Sequence, residues 1–143
     1  MKLNPDCIRD TLLYLEENLT VNLAKKNFEP IQLETIQEHF ADTYDAEDVW
    51  YTIYNLLQVR FIEGDVAKAG SMKMFWCPIE NITWQGHQFL NTIRPKTIWE
   101  ATKDKAKQIG GMSVQSLSMI SMAIMQGLAS NTDFIQDVIN SFK

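Results

Sequence analysis

Cysteine is scarce in this chain: Cys7 and Cys77 are the only two in 143 residues. They are too few and too isolated for a disulfide framework, and neither belongs to a C-x-x-C pair. Histidine is equally rare, with His39 and His87 alone, so a four-ligand zinc site would need all four soft ligands to converge without helpful spacing. No metal or other cofactor is expected. Long apolar runs are also missing, and each falls well short of the ~18–20 residues that cross a bilayer. No basic leader with an apolar stretch opens the chain. These absences set the expectation of a soluble, cytoplasmic protein with reduced thiols and no membrane contact.

The signatures of catalysis are missing too. There is no phosphate-cradling glycine loop, no nucleophile elbow, no zinc spacing and no isolated carboxylate pair in an apolar setting. The chain is therefore expected not to be an enzyme. Repeats and low-complexity tracts are likewise absent.

What is present is a hydrophobic content of 45%, enough for one proper core. The net charge of −5 disfavours nonspecific nucleic-acid binding but hides an asymmetry. Residues 1–65 hold 5 basic and 13 acidic side chains, net −8, and residues 66–143 hold 8 basic and 5 acidic, net +3. A polyanion would meet the second part.

Apolar residues at Ile8, Leu12, Leu13, Leu15 and Leu19 predict an amphipathic first helix, with Asn4 as cap and Pro5 in the first turn. The polar run VNLAKKNFEP is expected to be a loop, and IQL, from Ile31, a short edge strand. Leu33, Ile36 and Phe40 then share a face of a second helix. Asp45, with Asp48 in the reciprocal position, is expected to cap a third helix, AEDVWYTIYNLLQ, that turns Val49, Ile53, Leu56 and Leu57 inward. A hairpin follows, Phe61 to Val66 and about Met72 to Ile79, with its tip near Ala67 to Ser71. Thr83 is placed to cap the next helix, in which Gly86, Leu90 and Ile93 share a face and His87 lies at the edge of that stripe as a core or flank histidine. A further helix runs through Ile98, Trp99, Thr102, Ala106 and Ile109 until two glycines stop it.

Helix, short strand, helix, turn, helix, hairpin, helix resembles the order of a winged helix. The junctions LLQVRFIEG and ITWQGHQFL resemble the usual entry to and exit from a wing. More narrowly, the start MKLNPDCIRDTLLYLEENL, the ITWQGHQFL exit, the IW with its lysine-rich helix and the GGMSVQSL run resemble a family of small bacterial and phage proteins known mainly as a domain of unknown function. The resemblance covers about residues 1–128 and implies an α+β, mostly helical fold: a winged helix-turn-helix with additional C-terminal helices. That family places glycine at the end of the third helix, where this chain has Arg60, so a slightly different helix end is expected.

Two partner classes follow. A winged helix lays its third helix in the major groove and its wing along the backbone, which makes double-stranded DNA the partner expected by fold and a transcriptional regulator the expected role. The candidate DNA contacts are Lys68 and Lys73 at the wing, Arg94 and Lys96 after it, and Asn55 and Gln58 on the third helix. Yet that helix carries carboxylates at its leading end and no lysine or arginine, which suits phosphate poorly. The alternative is a protein-interaction module or adaptor that uses Glu47, Trp50, Tyr51 and Tyr54 as an acidic, aromatic docking face.

Residues 1–93 are read as the winged-helix domain and 94–143 as a C-terminal helical extension. Ser113 can cap VQSLSMISMAIMQGLA, in which Val114, Leu117, Ile120, Ile124 and Leu128 form one stripe. A following segment repeats the pattern with Phe134, Ile135, Val138, Ile139 and Phe142. This surplus of apolar surface is expected either to make a homodimer, through Leu117, Ile120, Ile124, Leu128, Phe134 and Val138, or to pack back on the first helix.

Overall fold

A computed structural model of the chain describes residues 1–65, 77–110 and 112–130, with side chains to Gly127 in the last of these. It is α+β and mostly helical. Among the described residues the order is α1 (Pro5–Asn18), β1 (Thr20–Asn22), β2 (Asn27–Glu29), β3 (Ile31–Gln32), α2 (Leu33–His39), α3 (Ala46–Gln58), β4 (Ile62–Gly64), β5 (Pro78–Ile82), α4 (Trp84–Ile93), α5 (Lys96–Ile109) and α6 (Val114–Ser130). Two compact units, Met1–His87 and Gln88–Lys143, divide it. Their boundary falls inside α4, whose end is the 93/94 boundary expected from sequence.

In the first unit α1 begins as its residues dictate. The Asn4 side chain accepts the Cys7 amide at 3.3 Å and Pro5 fills the first turn. Ile8, Leu12 and Leu15 on α1, Leu33 and Ile36 on α2, and Val49, Ile53 and Leu56 on α3 are buried together with Ile62, Ile79 and Ile82 of the strands. Thr52 is buried on α3 and Leu57 only half-buried, against the expectation for Leu57. The reason is angular: the buried arc is centred near Val49 and Leu56, and Leu57 stands roughly 80° from Val49 while Thr52 stands roughly 60° away on the other side.

The sheet order is β3-β5-β4, all antiparallel. Ile31 pairs with Ile79 on one side of β5 and Ile62 with Ile82 on the other, which makes β3 an edge strand. The register slips at a bulge between Glu63 and Gly64. The second strand runs past Ile79 to Ile82, and the expected tip, Ala67 to Ser71, lies outside the described residues. Pro78 opens β5, a position where its missing N–H is tolerated.

Two expectations about backbone conformation need correction. The segment after α1 is not a plain loop: Thr20–Asn22 and Asn27–Glu29 form an antiparallel hairpin in which Val21 faces Phe28. Its turn is held by Asn22, whose side chain accepts from the Lys25 amide at 3.1 Å and donates to Glu29 at 3.1 Å, with Lys26 at φ 52°. The end of α3 is not rearranged by Arg60 either. Arg60 adopts the left-handed conformation itself, φ 60°. The Phe61 amide reaches back to the Leu56 carbonyl at 2.9 Å and the Arg60 amide to Leu57 at 3.1 Å, the paired closure usually built on glycine.

The second unit is simpler. Phe89, Leu90 and Ile93 are buried, as are Ile98, Trp99, Thr102 and Ala106 of α5 and Val114, Leu117, Ser121 and Ile124 of α6. Gly110 ends α5 at φ 84°, its amide bonded to Ala106 at 2.8 Å. Ser113 caps α6 by accepting the Ser116 amide at 3.0 Å. Inside, the hydroxyls of Thr92 and Ser121 bond each other at 2.7 Å.

Candidate functional site

The outward face of α3 gathers the most chemistry. Asp45 occupies the N-cap position but its side chain makes no capping bond, so the carboxylates of Asp45, Glu47 and Asp48 crowd the helix start as charge complementing the dipole. With Val49, Thr52, Ile53 and Leu56 buried, the helical period turns Glu47, Trp50, Tyr51, Tyr54 and Gln58 into one opposite arc of roughly 100°. Glu47 and Gln58 are exposed, Trp50 and Tyr51 half-buried, and Tyr54 is 37% exposed.

The three rings on this arc are nearly parallel. Trp50 and Tyr54 lie 5.4 Å apart between centroids with planes 6° from parallel. Tyr51 and Tyr54 lie 6.4 Å apart at 7°. Spacings of three and four residues bring the rings together, and offset parallel packing is a favoured arrangement for them. Asn55, a candidate adenine reader, donates its side-chain amide to the Tyr51 carbonyl of its own helix at 2.7 Å.

The other candidate DNA contacts are scattered. Lys68 and Lys73 lie outside the described residues. Asn55 and Gln58 belong to the first unit, Arg94 and Lys96 to the second. Both cations are exposed, and Arg94 donates to the Asn91 side chain at 3.2 Å. Lys103, in the same basic stretch, pairs with Glu100 at 3.0 Å and sits 5.6 Å from the Trp99 ring centre.

Of the residues named for dimerisation, Leu117 is 0% exposed and Ile124 is buried, so both already serve the core of their own unit. Ile120 is half-buried. The side chain of Leu128 and the whole of Phe134 and Val138 lie outside the described residues. The surface that α5 and α6 expose overlaps that set in part: Ile109 at 64% and Met119 at 74% border an apolar groove with Ala101, Ile120, Ala123, Ile124 and the stem of Lys105. Ile109, expected inside, is instead exposed as the last residue of α5.

Sequence reading missed one cluster. Tyr14, His39, Phe40 and Tyr44 pack ring against ring, with Tyr14 and His39 centroids 4.3 Å apart. The Tyr44 hydroxyl donates to Asp10 across 34 residues of sequence, and burial followed by that carboxylate pushes the phenol above its ordinary range. His87 is exposed and borders a shallow cleft with Glu16, Thr20, Phe28 and Glu80. Burial raises both thiols, Cys77 to about 11 with Asp65 and Glu80 adding to the effect. Among the described residues no three His, Cys, Asp or Glu side chains gather as a metal site, and no helix is long and apolar enough to cross a membrane.

Comparison with known proteins adds kinship. A family model described as "Hypothetical protein (DUF2513)" matches residues 2–113. An uncharacterized protein of Haemophilus influenzae is 29% identical over 131 residues, covering 87% of this chain and 96% of its own. No solved structure matches the chain.

Proposed function

We propose that this chain, which belongs to the DUF2513 family of hypothetical proteins, is a non-enzymatic winged-helix adaptor whose α3 face docks a protein partner. The winged-helix reading is supported by the run α1, β3, α2, α3, β4, β5 and by the sheet order β3-β5-β4. The docking reading is carried by one observation, the stack of Trp50, Tyr54 and Tyr51 on the outward arc of α3. Aromatic residues held in register present large contact area at little further entropic cost, which is what interface anchors do. Replacing Tyr51 or Tyr54 by alanine is expected to abolish capture of a partner from host extract while leaving the thermal midpoint within a few degrees. A large fall in the midpoint would make the rings structural and end this reading.

A second reading has its own support. The strand order, read as that of a winged helix, and the exposed cations Arg94 and Lys96 support duplex DNA held through the wing and the tract after it, not through α3. Titration of mixed duplex at low and near-physiological salt tests it. Replacing Lys68 and Lys73 together should weaken binding to all sequences and flatten its salt dependence. In either role the adaptor works in the cytoplasm as a dimer joined through its second unit, and light scattering that finds a monomer would remove that part.

A further inference from the structure

We infer that the α3 face takes a basic partner, and specifically an arginine-bearing protein segment whose guanidinium lies on the Trp50–Tyr54–Tyr51 stack with Glu47 as its counter-charge. This rests on the docking reading above and names the chemistry it selects. Charge is the first argument. Ala46–Gln58 contains no lysine, arginine or histidine, its first turn holds Glu47 and Asp48 with Asp45 just ahead, and residues 1–65 sum to −8. A cationic segment is drawn to such a surface and an anionic one repelled.

Ring geometry is the second, independent argument. Because Trp50 and Tyr51 each lie within 7° of the Tyr54 plane, a flat cation laid parallel to Tyr54 is nearly parallel to the other two. Guanidinium is planar, weakly hydrated and stacks on aromatic faces, whereas ammonium is compact and holds its water. Glu47 stands one helical turn before Tyr51, so a guanidinium over that ring finds a carboxylate at its edge, where a charge-assisted pair can form. Arginine therefore gains from both ring and carboxylate, and lysine chiefly from the charge.

The test uses the full chain labelled with nitrogen-15 and a six-residue peptide of alternating glycine and arginine with neutral ends. The indole signal of Trp50 is identified by its loss in Trp50→Phe. The arginine peptide should shift that signal saturably, and its lysine counterpart should bind about 2- to 5-fold more weakly, the worth of one exposed cation–ring contact. Glu47→Lys, at an exposed position and with the fold checked by an otherwise unchanged nitrogen-15 spectrum, should weaken the arginine peptide by about 5-fold or more. Equal binding of the two peptides, or no shift at Trp50, overturns the inference, as does a short DNA duplex moving the same signal. If the peptide fails while Tyr54→Ala still loses a captured host protein, the docking surface stands and the basic partner falls. If Tyr54→Ala changes neither, both fall.

Discussion

Gly86 in the first unit and Gly110 in the second both resist replacement, for opposite reasons. At Gly86 a side chain would meet the Phe61 carbonyl oxygen at 1.9 Å and an Ile82 methyl at 2.8 Å, so there is no room. At Gly110 nothing lies within 4 Å, but φ is 84°, a conformation that L residues adopt at a cost. The contrast extends to the units themselves. The first is closed by individual backbone meetings: Thr83 donates to the Arg60 carbonyl at 2.6 Å, accepts the Gly86 amide at 3.1 Å, and donates its own amide to Phe61 at 3.0 Å. Among its described residues the second unit is regular helices held mainly by apolar stripes, with the Thr92–Ser121 bond inside. A surface meant to recognise one partner needs the first kind of construction, because its groups must stand in fixed places.

Breaking that closure should produce the largest effect. Gly86→Ala forces the start of α4 off the Phe61 carbonyl, and backbone cannot yield as a flexible side chain would. A loss of roughly 3 kcal/mol or more is expected in urea denaturation. A variant near wild-type stability would show that α4 does not lie so close to Phe61.

Alkaline pH should separate the units next. Both cysteines and Tyr44 belong to the first unit, and burial raises all three. Burial pushes Cys77 up to about 11 from an ordinary value of 9.0. A group raised on folding contributes stability that is full below its unfolded value and lost as pH climbs through its folded one. Unfolding free energy should thus fall by roughly 1–3 kcal/mol between pH ~9 and ~11. A flat profile for the double variant Cys7→Ala and Cys77→Ala would assign the loss to the thiols; an unchanged fall would assign it to Tyr44.

Gly110→Ala should cost less, about 1–2 kcal/mol, since only conformation and not space opposes it. If it cost as much as Gly86→Ala, the open surroundings of Gly110 would be in question.

Much of this construction could be read beforehand. Periodicity marks α3 because Val49, Ile53 and Leu56 must face one way, and Thr83 announces α4 because a hydroxyl there satisfies an otherwise free amide. The features that escaped share a cause: they depend on conformations for which the local residues are not the usual choice, or on distant partners. The β1–β2 hairpin turns with Lys26 at positive φ in place of glycine or asparagine. Tyr44 finds Asp10 only after α1 and α2 have packed. The candidate face was nameable from Glu47, Trp50, Tyr51 and Tyr54, but spacing alone does not make three rings parallel. That required Thr52, not Leu57, to turn inward and fix the rotation of α3.

Arg60 offers the finest test of the contrast between the two glycines, because it meets the demand of Gly110 without being glycine. It holds φ 60° at the junction of α3 and β4, its side chain exposed and its carbonyl bonded to Thr83. Glycine would relieve the left-handed strain of about 1–2 kcal/mol while adding about 0.5–1 kcal/mol of unfolded-state freedom. Arg60→Gly should therefore stabilise the chain by roughly 0.5–1 kcal/mol, seen as a higher urea midpoint with an unchanged slope. Lower stability would mean that the arginine side chain makes contacts worth more than the strain. The expected gain would mean instead that the chain keeps a cation at this junction at the expense of stability, directly after a helix that has none of its own.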